Sequence, residues 1–177
     1  MKRPLKKMKR PLKKMKLEKV KAREVDLLSL TCRITEIFQK EGTRSEAYSS
    51  WAVNGYLEDY AEPGFAYCYT HRHFIRRSRA TCDLRKVAQD ELGFMPERVE
   101  ILDIGAGPGC AAAGVIKSYY EQGIPIERVI FTDKVEKWKA GLKAYRSLIP
   151  GIDFFFDCRP ETEHWEDTIT EQIFTRA

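Results

Sequence analysis

From Val25 onward, apolar residues recur at three- and four-residue spacing: Leu27, Leu30, Ile34, Ile37 and Phe38 share one face, and Gly42 closes the run. This is the signature of an amphipathic helix. Ser45 opens a second predicted helix that runs through Trp51 and Tyr56, and Pro63-Gly64 punctuates the chain after it. Residues 65–78 mix aromatic rings with His71, Arg72, His73, Arg76 and Arg77. A further helix is expected over 82–92, with Leu84, Val87, Ala88 and Leu92 on its apolar face and Gly93 as its terminator. Residues 25–93 therefore read as a helical segment.

At Arg98 the pattern changes. Val99–Ile104 is a short, mostly apolar run of the kind found in a buried parallel strand. A glycine turn follows, then a small-residue helix from about Pro108 to Gln122. A second strand is predicted at 128–133, a second helix at 135–148 stopped by Pro150-Gly151, and a third strand at 152–157. Residues 158–177 are polar, with a short helix expected within 161–174. The order β-α-β-α-β with right-handed crossovers gives a parallel sheet. The predicted fold class is α/β: a partial Rossmann-like parallel sheet, three strands visible, preceded by a helical segment. The expected divisions are 1–24, 25–93 and 94–177.

Charge sets the first division apart. Residues 1–24 hold twelve Lys/Arg and two Glu, a net of +10. The remaining 153 residues hold 19 basic and 24 acidic residues, a net of −5. Residues 1–7 and 8–14 are the same heptad, MKRPLKK, and a third partial copy starts at Met15. Pro4 and Pro11 oppose helix and the like charges repel, so disorder is expected here. The readings are a solvated tail, a polyanion-binding arm or nuclear-type signal, or an organelle presequence. The five cysteines are odd in number and widely spaced, which suits free thiols in a reducing, intracellular compartment. The cytoplasm is the first expectation, with the nucleus or mitochondrion as alternatives. No run of about 18 apolar residues exists, so no membrane span is expected.

The chemistry lies in Leu102-Asp103-Ile104-Gly105-Ala106-Gly107-Pro108-Gly109, between a predicted strand and a predicted helix. Gly105 permits a tight turn, Gly107 lets a ligand approach the backbone, and Gly109 lets helix and strand pack closely. The helix N-terminus offers open N–H groups to a polar ligand portion. Pro108 suits an early helical position. A dinucleotide fingerprint would need a glycine at 110, where Cys110 stands.

Residues 103–109, DIGAGPG, resemble the first motif of class I S-adenosylmethionine-dependent methyltransferases. The resemblance covers about residues 95–157. It implies that Asp103 orients the loop and the methionine portion, and that Gly105, Ala106, Gly107 and Gly109 cradle the cofactor, S-adenosylmethionine. It also implies that Asp133, with Lys134 beside it, meets the ribose hydroxyls, and that Asp157 meets the adenine amino group. Read alone, Asp133 suits a helix cap better than a ligand contact, and for Asp157 the two readings are balanced. Stretch 65–79 bears a fainter similarity to methyltransferase-like proteins of small-subunit ribosome assembly. RNA or a ribosomal component thus becomes the expected methyl acceptor, and the basic tail suits such a polyanion. The alternative is a binding or assembly protein that keeps the cofactor fold without catalysis. Tyr67 or Tyr69 facing the cationic sulfur is one reading; core or lid packing is the other.

The chain departs from the family pattern after the third strand. Sixty-eight residues follow Gly109, and the fourth strand and its substrate-facing motif have no counterpart. No Asn/Asp-Pro-Pro-aromatic tetrad occurs. Val99–Ile104 then becomes an unpaired apolar edge, which invites pairing. A partner chain, the C-terminal residues or truncation would explain it, and truncation is the favoured expectation. No catalytic residue is identified. Cys68, His71, His73 and Cys82 are zinc-ligand types at irregular spacing, and no metal is expected. Arg72, Arg76, Arg77 and Arg79 suit a phosphate contact or, preferably, a solvated helix face. Cys110 reads as small-residue packing.

Overall fold

The computed structural model describes residues 24–54, 62–93 and 95–158. The basic segment before Glu24, the end of the second predicted helix and the helix expected within 161–174 lie outside the described residues. Helix α1 (Leu27–Gln39) starts where the Asp26 carboxylate accepts hydrogen bonds from the amides of Leu28 (2.9 Å) and Ser29 (3.2 Å). Such a cap satisfies donors that the first turn leaves open and contributes about 1 kcal/mol. Leu27, Leu30, Ile34 and Phe38 are buried, as the periodicity predicts.

Helix α2 (Glu46–Asn54) begins with Ser45 Oγ accepting from the Tyr48 amide at 2.9 Å. The Glu62 carboxylate accepts from the Glu46 and Ala47 amides at 2.8 and 2.6 Å. A residue distant in sequence thus fixes the start of α2 beside the start of α3.

Helix α3 (Phe65–Leu92) corrects two expectations. Stretch 65–78 and the helix predicted over 82–92 are one continuous helix of 28 residues. No glycine or proline stands between Phe65 and Leu92, so nothing interrupts it. The expected apolar face is exposed: Leu84 by 68%, Val87 by 58% and Leu92 by 78%. Phe74, Ser78 and Cys82 are buried instead. A Cβ on Gly114 of the neighbouring helix would meet the Ser78 carbonyl and would lie 2.9 Å from the Cys82 amide nitrogen. Small side chains permit this close approach of two helices, and hydropathy gives them little weight.

The sheet has the order β1-β2-β3, all parallel, with β1 (Val99–Ile104), β2 (Ile126–Asp133) and β3 (Asp153–Cys158). Helix α4 (Cys110–Glu121) links β1 to β2. It starts two residues after the expected Pro108, because Gly107 and Gly109 hold left-handed backbone at φ 54° and 83°. The predicted helix 135–148 divides into a 3-10 helix (Glu136–Gly141) and α5 (Leu142–Leu148). A 3-10 helix eclipses residues three apart. It puts Trp138 and Gly141 on one side, both against Phe38 of α1: the Trp138 ring is 5.5 Å away, and the Gly141 Cβ position is 3.6 Å from the Phe38 ring.

Strand β1 is less buried than its apolar sequence suggests, and Ile104 is 43% exposed. Among the described residues it pairs on one side only, with β2. One buried cluster joins the two segments, with Ile34, Phe38 and Phe74 from the helices and Ile116, Phe131 and Tyr145 from the α/β part. No helix among the described residues is long and apolar enough to cross a membrane.

Candidate functional site

A cleft of about 510 Å³ opens where β1 and β2 end. Crevices outside the carboxyl ends of parallel strands are the usual ligand sites of such sheets. One side of the cleft comes from Gly105, Gly107, Asp133 and Lys134. The helical segment supplies Trp51, Phe65, Tyr69 and Arg77, and the β2–β3 connection supplies Val135 and Trp138.

Gly105, Gly107 and Gly109 all have positive φ, at 64°, 54° and 83°. A Cβ at Gly105 or Gly107 would meet nothing within 4 Å, so the turn presents bare backbone to open space. Gly109 is the opposite case. A Cβ there would meet the Tyr145 hydroxyl and would stand 2.6 Å from the Phe131 ring. The turn is sealed underneath and open above. Tyr145, fully buried, places its hydroxyl 2.7 Å from the Gly109 carbonyl and 3.1 Å from that of Pro108, and donates to them.

Both predicted carboxylates of the turn are engaged by main chain. Asp133 Oδ2 accepts from the Gly107 amide at 2.8 Å, and its Oδ1 accepts from the Val135 amide at 2.9 Å. A carboxylate has about four acceptor positions, so Asp133 keeps capacity for ligand hydroxyls. Asp103 Oδ2 accepts from the Ala112 amide at 3.0 Å. It serves as the cap of α4 that the N-cap residue, Gly109, lacks a side chain to provide. Burial pushes the Asp103 carboxyl up to about 6, against the Ala112 hydrogen bond, and the Asp133 charge adds to the rise. Burial pushes the neighbouring Cys110 thiol up to about 12, so it packs as a neutral group.

The helical side is aromatic. Trp51 lies 5.5 Å from Tyr69 and 6.3 Å from Phe65, and Tyr69 lies 6.1 Å from Trp138. The Arg77 guanidinium sits 5.1 Å over the Tyr69 ring. His73 bonds the Tyr48 hydroxyl through Nε2 at 2.9 Å. Burial lowers its pKa, and the charges of Arg77, Arg76 and Arg72 add to that. Lys137 Nζ donates to the Glu62 carbonyl at 2.8 Å and stands 3.9 Å from the Glu41 carboxylate, tying this side to the β2–β3 connection.

Of the predicted site residues, Gly105, Gly107, Asp133 and Lys134 line the cleft. Asp103, Ala106 and Gly109 build the turn beneath it, with the Ala106 amide donating to the Thr132 carbonyl at 3.0 Å. Asp157 does not line the cleft. It stands in register with Thr132, whereas Cys158 is the partner of Asp133; alternation along a strand therefore puts Asp157 on the other face of the sheet from Asp133. Tyr69 lines the cleft; Tyr67 stacks on His71 instead. Cys68, His71, His73 and Cys82 do not converge, and no cluster of three metal-ligating groups occurs among the described residues. Trp51, Phe65, Val135 and Tyr145 were not among the residues the sequence pointed to. The density of rings over 48–74 was the available signal for Phe65; nothing in the local pattern marks Tyr145.

No protein-family model, no curated protein and no solved structure matches this chain.

Proposed function

We propose that the cleft binds S-adenosylmethionine and that this chain supplies the cofactor-binding part of a methyltransferase. The observation that supports the reading best is Asp133. Its carboxylate lines a cleft beside two glycines whose Cβ positions are open. A carboxylate at that strand end accepts from a ribose diol, and bare glycine backbone lets a ligand approach closely. The cofactor supplies an activated methyl group on a sulfonium. The residues of the chain bind and orient: Gly105 and Gly107 give close approach, Asp133 takes hydroxyls, and Trp51, Tyr69 and Trp138 exclude water. RNA is the proposed acceptor class, on the twelve Lys/Arg of residues 1–24. The open edge of β1 is where a further strand, of this or a partner chain, would pair.

The second reading is a cofactor-binding or assembly protein without transfer. Asp133 is the one carboxylate among the described cleft residues, and they include no histidine or cysteine. Proton removal from an acceptor then has no dedicated base there.

Calorimetric titration with S-adenosylhomocysteine tests the shared claim. Wild type is expected to bind, with a change in Trp138 fluorescence. Asp133→Ala is expected to weaken binding at least about tenfold, or about 1.4 kcal/mol. Asp133→Asn keeps the shape and one acceptor oxygen but sets an amide nitrogen, which cannot accept, against the other main-chain N–H; weakened binding is expected, and circular dichroism checks that both variants fold. A folded wild type giving neither heat nor fluorescence change would sink the reading. Undiminished binding by Asp133→Ala would remove Asp133 from the ribose role. Transfer of labelled methyl to RNA separates the two readings.

A further inference from the structure

One described carboxylate and two cations line the cleft: Asp133, with Lys134 next to it in the chain, lies at the end of β2, and the Arg77 guanidinium enters from α3, where no described carboxylate lines the cleft. Among the described residues no carboxylate pairs with Arg77. What holds the side chain is the Tyr69 ring, 5.1 Å beneath the guanidinium. The charge acts on the start of α4, where it draws down the pKa of the buried Cys110 thiol against the larger effect of burial. Arg77 therefore lies on the aromatic side of the cleft, within electrostatic reach of the start of α4.

A ligand in this cleft keeps negative charge away from Asp133 and places hydroxyls there. Its anionic group is drawn to the Arg77 end. A guanidinium is a planar fork of donors that matches a carboxylate with two parallel hydrogen bonds. Stacking on Tyr69 orders the fork in advance, so less freedom is lost on binding. Trp51 and Phe65 line the same cleft, while Arg77 itself is exposed, so the pair rests on the fork geometry rather than on exclusion of water.

We infer that Arg77 anchors the carboxylate at the amino-acid end of the cofactor, which makes the helical segment part of the binding site and fixes the direction in which the cofactor lies. This rests on the cofactor reading above, and the test separates the two. S-adenosylmethionine and its decarboxylated form differ by that carboxylate alone. Both are titrated calorimetrically into the full chain, as wild type, Arg77→Ala, Arg77→Met and Arg77→Lys. The Met variant keeps an apolar stem over Tyr69 without the charge.

Wild type is expected to favour S-adenosylmethionine by about 10- to 100-fold, the range of a charge-assisted hydrogen-bonded pair. Arg77→Ala and Arg77→Met are expected to bring the two ligands within about threefold, by weakening the carboxylate-bearing one alone; Arg77→Lys falls between, as a point charge replaces the fork. Equal weakening of both ligands, or a wild type that does not distinguish them, overturns the inference while the cofactor reading stands. A wild type that binds neither ligand overturns the cofactor reading, and the inference with it.

Discussion

The glycine turn holds its side of the cleft with main-chain hydrogen bonds, whereas α2 and α3 hold theirs with rings. On the turn side, Asp133, Asp103 and the Tyr145 hydroxyl each bond backbone within the stretch 107–135. These four contacts are directional, at 2.7 to 3.0 Å. On the helical side, Trp51, Phe65 and Tyr69 meet at centroid distances of 5.5 to 6.3 Å. Ring contacts of this kind are broad in angle and tolerate adjustment. The turn side is therefore suited to fixing one ligand orientation, and the helical side to adapting around it.

The two sides of the turn differ most at the glycines. Gly109→Ala adds a Cβ into Tyr145 and Phe131 at a left-handed backbone, and neither buried ring has room to retreat. We expect a loss of about 3 kcal/mol or more, or failure to fold. Gly105→Ala carries the backbone strain alone, about 1–2 kcal/mol, because its Cβ position is open. Denaturant midpoints of the two variants measure the difference, and equal losses would contradict a turn sealed on one side only.

Asp103 sharpens the electrostatic half of the contrast. Burial raises its folded-state pKa to about 6, above the ordinary aspartate value of about 3.8, so the native state binds the proton more tightly than the unfolded chain. That contribution is fully present below about pH 4 and is lost as pH rises through 6. Asp103→Asn keeps an acceptor for the Ala112 amide and removes the titration. Relative to wild type, the variant should gain on the order of 2 kcal/mol between pH 4 and 7. Thermal or urea unfolding across that range checks it; parallel profiles would show that Asp103 titrates normally.

The smallest effect is expected on the helical side. Lys137→Met removes the hydrogen bond to the Glu62 carbonyl and the nearby Glu41 pair. A loss of about 1 kcal/mol is expected. Amide exchange should quicken in α2, whose first amides depend on Glu62, and stay unchanged at Gly107 and Ala112. Faster exchange at the turn would show that the two sides are not held independently.

The three strands, the glycine turn and α1 were legible because each is specified within a few residues. Val99–Ile104 alternates with a turn whose glycines tolerate positive φ, and the apolar stripe of α1 follows a 3.6-residue period capped by Asp26. Four of the eight anticipated site residues line the cleft for the same reason: they sit in or beside strand ends that the pattern already fixed. The helical side was not legible. The buried face of α3 follows the small residues that admit α4 rather than hydropathy, and the 3-10 helix follows Phe38, a residue about 100 positions earlier in the chain.

By itself, then, the sequence determined a parallel α/β core with a left-handed glycine turn at its strand ends, since backbone conformation and periodicity are local properties. Only the tertiary structure decided that Tyr145 seals the turn from below, that Asp157 lies away from the cleft, and that Arg77 and its aromatic neighbours lie across from the turn. Those placements depend on strand register and on which helices approach closely, and both are settled by packing between residues far apart in the chain.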